Sequence, residues 1–126
     1  MSTDEVATMA KVAIVVLADT ETHWDLARVV NALVGVKELK EGGDEVTAIF
    51  EGAGTKWIKE LANPEHRVHG LYEAVKDKIE GACGFCAAAF GVREAVRQSG
   101  VALLDEYERH PSLRRLVAEG YQVITY

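Results

Sequence analysis

The sequence is poor in the residues that hold small domains together by means other than a core. It has two cysteines and two prolines among 126 residues, and aromatics make up 7%. So few cysteines exclude a disulfide scaffold, and a chain of this length can bury a core without one. A long apolar run is also missing. The stretch 12–18 is hydrophobic but breaks at Asp19, too short to span a bilayer. Asp4 and Glu5 ahead of it lack the basic start of a signal peptide, so the cytoplasm is the expected compartment and the thiols are expected reduced. Runs of lysine or arginine are missing too, and the formal charge is −6. That sign repels nucleic acid and anionic lipid, and neither is an expected partner. No G-x-G-x-x-G and no Lys-Ser/Thr follows Gly52 or Gly54, so these glycines serve a turn and no cofactor is expected.

What is present is a globular composition, 48% apolar and 27% charged, sized for one domain. Residues 1–10 are expected to be a flexible lead-in and 11–126 a single domain. The run 11–18 is rich in β-branched residues and predicts a strand buried on both faces. Thr22 with Asp25 predicts a capping box, and Leu26, Val30, Leu33 and Val34 follow at helical spacing up to Gly42-Gly43. Residues 46–50 read as a second strand and 51–54 as a turn, with Thr55 capping a helix that Asn63-Pro64 stops. Leu71, Tyr72, Val75 and Ile79 share a helical face. Residues 81–83, 101–104 and 121–126 complete the strands, and Pro111 suits the first turn of the last long helix. This alternation predicts an α/β fold: a three-layer α/β/α sandwich around a five-stranded, mostly parallel sheet.

In such sheets ligands bind beyond the carboxyl ends of the strands. The rule gathers His23 and Trp24, then Glu51, Gly52, Gly54 and Thr55, then Cys83 and Cys86, then Asp105 at one edge. Cys83 falls where a strand hands over to a helix, a position that favours a thiolate. Cys86, three residues on, brings a second sulfur to the same face, within reach for exchange. Thiol chemistry at Cys83 and Cys86 is therefore the expected function. Packing of inert cysteines in a binding or structural protein is one alternative. A zinc module built from His66, His69, Cys83 and Cys86 is another.

Several segments in order carry a family likeness. These are the strand 11–18, the helix from Thr22 leading into Gly43-Asp44-Glu45-Val46, and the turn Glu51-Gly52-Ala53-Gly54. Cys83 is then followed eight residues later by Gly91-Val92, and the chain ends with Glu119-Gly120-Tyr121-Gln122-Val123. Together they resemble the DsrE/DsrF-like family of sulfur-relay proteins, in a branch of its own. Where sulfur-relay members often place two arginines before the glycine, this chain has Ala89 and Phe90. The resemblance implies homo- or hetero-oligomers, often trimers or hexamers, with a homo-oligomer expected here, and exchange with a sulfur-donor or acceptor protein. It also implies that Cys83 carries sulfane sulfur as a persulfide; Cys86 has no counterpart in the family pattern, and its place beside Cys83 is what makes it the expected resolving thiol.

Overall fold

The computed structural model describes residues 9–126, so most of the expected lead-in (1–8) lies outside the described residues. Ala10 is already part of the fold: its N–H donates to Asp44 Oδ1 at 2.9 Å, and its carbonyl accepts the N–H of Glu45. The elements run β1 (Lys11–Val16), α1 (His23–Glu41), β2 (Glu45–Phe50), α2 (Lys56–Ala62), α3 (His69–Val75) and β3 (Ile79–Cys83). They continue with α4 (Gly84–Ala89), α5 (Arg93–Gln98), β4 (Leu103–Leu104), α6 (Leu113–Ala118) and β5 (Gln122–Thr125). The five strands form one sheet in the order β4-β3-β2-β1-β5, and every neighbouring pair is parallel. The chain is an α/β protein with an all-parallel sheet. None of its described helices is long and apolar enough to cross a membrane.

The continuous apolar runs in β1 and β2 follow from their central position, because both faces are covered. Val12, Ile14 and Val16 of β1 and Val46, Ala48 and Phe50 of β2 pack with Val29, Leu33 and Val36 of α1. Ile58 and Leu61 of α2, Tyr72 and Val75 of α3 and Val96 of α5 complete that core. The other face is thinner: Ala13 and Ile49 meet Leu116 of α6. The path of the chain explains the asymmetry. β1 to β4 step in one direction with their helices on one side, and the single return to β5 carries α6 across the back.

The capping box at Thr22 forms as the sequence predicts. Thr22 Oγ1 accepts the Asp25 N–H at 3.2 Å, and Asp25 Oδ2 accepts the Thr22 N–H at 3.1 Å. Other local expectations shift. β1 ends at Val16, because the N–H groups of Leu17 and Ala18 converge on the single carbonyl of Tyr126. Thr55 is no side-chain cap. It lies in a 3-10 turn (Gly52–Thr55) and donates its hydroxyl back to the Gly52 carbonyl at 2.8 Å. Ile79 leaves the helical face and opens β3, since the 3-10 turn Lys76–Lys78 ends the helix early. Pro111 precedes α6 and Ser112 caps it, accepting the Arg115 N–H at 3.0 Å.

Candidate functional site

The sheet delivers Cys83 to the carboxyl end of β3, and the chain turns at once into α4. The backbone here is closely packed. A Cβ on Gly84 would lie 3.1 Å from the Leu104 carbonyl oxygen and 3.6 Å from that of Arg109. Glycine therefore lets the loop after β4 close down on the cysteine. The N–H of Cys86 donates to Cys83 Sγ at 3.3 Å, so the thiol is the N-cap of α4.

The loop after β4 supplies the partner. Tyr107 and His110 exchange backbone hydrogen bonds of 2.9 and 2.7 Å, with Glu108 and Arg109 between them at φ 49° and 66°. Positive φ at both central residues is the geometry of a type I′ turn, which normally takes glycine, asparagine or aspartate. Here two long side chains occupy it, at a cost of order 1 kcal/mol each. The turn is held at its root by Glu106, which accepts the Ser112 N–H at 3.0 Å and pairs with Arg115 Nε at 2.7 Å. Those contacts keep the Glu106 carboxyl below its usual range, led by the Ser112 N–H. Arg115 also pairs with Glu80 on β3 and with Glu119. Glu108→Asn is expected to stabilise the protein by about 0.5–1 kcal/mol in urea denaturation, because asparagine accepts the left-handed conformation more readily.

The strained turn places His110 Nδ1 3.1 Å from Cys83 Sγ, and the Arg109 carbonyl 4.0 Å from the same sulfur. The His110 ring stacks on Phe85 with centroids 4.9 Å apart, and the Arg109 guanidinium lies 5.3 Å from the Phe85 ring centre. The Phe85 N–H donates to the Arg109 carbonyl at 2.9 Å, tying α4 to the turn. Cys83 Sγ, Cys86 Sγ and a His110 ring nitrogen all lie within 4.8 Å of one another. This is a cysteine–histidine pair with a second thiol beside it, and the same three side chains are a group that could hold a metal ion.

Cys83 is fully buried, whereas Cys86 and His110 are half-buried. Burial pushes the Cys83 thiol up from 9.0 to about 12. The Cys86 N–H pulls the other way, while Cys86 itself and the Glu51 carboxylate add to the rise. The expected rim-exposed thiolate is thus corrected: at the end of a short helix, one N–H does not offset loss of water. Glu51 feels the same enclosure, and its carboxyl is raised by burial and drawn back by His110.

The structure gathers Cys83, Cys86 and Glu51 and adds His110, Phe85 and Arg109. The other sequence candidates stand elsewhere or serve the backbone. His23 lines a separate open cleft of about 390 Å³ with Thr20, Trp57, His66 and Arg67, and Trp24 is 75% exposed. Gly52, Gly54 and Thr55 build the turn after β2, and Asp105 is exposed. The ligand set His66, His69, Cys83 and Cys86 does not assemble. His69 Nδ1 is 2.7 Å from the Leu61 carbonyl and His66 sits edge-on to Trp57, while the histidine beside the cysteines is His110.

No family model matches the chain. It is 35% identical over 94 residues to the uncharacterized protein MJ0733 of Methanocaldococcus jannaschii, covering 75% of this chain and 76% of that one. The chain belongs to the MJ0733 family. A solved structure with the same fold is the conserved protein of unknown function BT1422 from Bacteroides thetaiotaomicron. Its TM-score is 0.64 at 18% identity, with 90% of this chain and 94% of that one covered. The MJ0733-family chain therefore shares with BT1422 a parallel α/β architecture, and its chemistry must be argued from its own side chains.

Proposed function

We propose that the chain is a dithiol sulfur carrier of the DsrE/DsrF-like kind, with His110 as the base for Cys83. The observation that carries this reading is the 3.1 Å separation of Cys83 Sγ and His110 Nδ1, with the second thiol alongside. The His110 imidazole takes the Cys83 proton, so the thiolate forms as half of an ion pair instead of alone. The thiolate attacks the outer sulfur of a donor persulfide. A new S–S bond forms at Cys83, the donor S–S bond breaks, and the donor leaves as a thiolate. Cys86 then attacks Cys83 Sγ. Hydrosulfide departs, the Cys83–Cys86 disulfide forms, and the two thiols are oxidised as the sulfane sulfur is reduced. An acceptor thiolate that takes the outer sulfur instead leaves both cysteines reduced.

Exposed Leu17, Phe85, Phe90 and Tyr107 near the carboxyl edge of the sheet support the companion reading of a homo-oligomer, trimer or hexamer, in which a neighbour covers this edge. Complete burial of Cys83 favours a second reading, a binding or structural α/β protein with inert cysteines.

One experiment separates the two. Metal-free, reduced protein is incubated with inorganic polysulfide, trapped by alkylation and mapped by mass spectrometry. The carrier reading expects one added sulfur on Cys83 in Cys86→Ser, and in the wild type either that adduct or the Cys83–Cys86 disulfide left by its discharge; His110→Ala is expected to slow loading about 100-fold or more. A folded protein that yields neither a sulfur adduct on Cys83 nor the Cys83–Cys86 disulfide, or a Cys86→Ser variant that takes up no sulfur, sinks the carrier assignment of Cys83.

A further inference from the structure

We infer that Cys83, Cys86 and His110 form a binding site for a divalent d10 cation of the zinc kind, with two sulfurs and one imidazole nitrogen converging from α4 and the turn after β4.

The donor chemistry comes first. Two thiolates and an imidazole are the ligands such ions take, whereas among the described residues no carboxylate of the kind magnesium or calcium prefers joins that cluster of donor atoms. The distances come next. Zinc–sulfur bonds of roughly 2.3 Å and zinc–nitrogen bonds of roughly 2.0 Å set tetrahedral ligands about 3.5–3.8 Å apart. Cys83 Sγ and His110 Nδ1 are 3.1 Å apart, and all three donor atoms lie within 4.8 Å. Each separation is thus within roughly 1.3 Å of its tetrahedral value. The histidine is also fixed in advance, by its stack on Phe85 and by the paired backbone bonds of the Tyr107–His110 turn.

Charge selects among soft cations. A buried thiolate is costly alone, but two thiolates around a divalent ion are neutral overall. A monovalent ion would leave a net negative charge enclosed beside Glu51, which already lies within electrostatic range of Cys83 and His110. Three protein ligands leave a fourth position, and the half-buried Cys86 and His110 put it on the side that solvent reaches.

The full chain, reduced and stripped with a chelator, is titrated with Zn²⁺ against a chromogenic competitor. A parallel titration with Cd²⁺ follows the ultraviolet charge-transfer band from thiolate to cadmium. The expected result is one ion per chain with a thiolate band. Cys86→Ser and His110→Gln should each weaken binding at least roughly tenfold, with far-ultraviolet circular dichroism unchanged. His66→Gln and His69→Gln should bind as the wild type does. Absence of saturable binding, wild-type affinity in His110→Gln, or loss in either distal histidine variant overturns the site. Sulfur loading is scored by mass in metal-free protein, so failure of the carrier reading and failure of this one are told apart.

Discussion

Gly54→Ala is expected to destabilise the protein by at least about 3 kcal/mol. An added Cβ would stand 2.1 Å from the Val16 carbonyl oxygen, 2.8 Å from its carbon and 3.3 Å from Leu17 Cα. All three are backbone atoms at the end of β1, which is paired on one side with β2 and on the other with β5. No rotamer relieves the clash, so either the strand end or the turn must move. The turn is itself stitched to β1, because the Glu51 N–H donates to the same Val16 carbonyl at 2.9 Å. Displacing it also carries Glu51 away from His110 and Cys83. Gly70→Ala is the control, since nothing lies within 4 Å of its added methyl and the residue is helical. It should be neutral or stabilising by up to about 1 kcal/mol. Urea denaturation of both variants checks the contrast.

The second large effect is alkaline. Cys83 releases its proton near pH 9 in the unfolded chain and near 12 in the fold. The unfolded state therefore binds fewer protons above pH 9, and stability falls as pH rises. The loss should be about 1 kcal/mol between pH 9 and 10 and about 1.3 kcal/mol over the next unit, levelling off as pH approaches 12. Tyr72, whose hydroxyl is also raised to about 12 by burial, adds a loss of the same sign above pH 10. Urea midpoints across this range should fall more steeply in the wild type than in Cys83→Ala. Tyr72→Phe should remove only the later part. Equal slopes in wild type and Cys83→Ala between pH 9 and 10 would mean that the buried thiol does not govern this window.

Much of the architecture is legible from residue pattern alone. Unbroken β-branched runs mark β1 and β2 because both their faces are covered, and Thr22 with Asp25 marks the start of α1 because the box is a local geometry. The Cys83–Cys86 pair is equally local. His110 is not, and the reason is specific. It reaches the sulfur through a turn whose central residues, Glu108 and Arg109, give no glycine or asparagine signal for positive φ. The sequence reading stops at Asp105, and the only available hint is a histidine after the fourth strand and just before Pro111. Burial of Cys83 escapes for the same cause, since the backbone that covers it arrives from 26 residues downstream. The spacing of His66 and His69 misleads in the opposite sense. Their regular interval reflects a turn packed on Trp57 and Leu61, not a shared ligand.

The thin second layer has a consequence of its own. Arg115 fastens the six-residue α6 to Glu80 on the sheet, and with Glu106 it also clamps the loop that ends in His110. Seating of the final crossover and presentation of the imidazole are thus one mechanical event. Peeling that seam would draw the imidazole away from Cys83 while the central strands stayed zipped, so the cysteine–histidine pair would come apart before the sheet does.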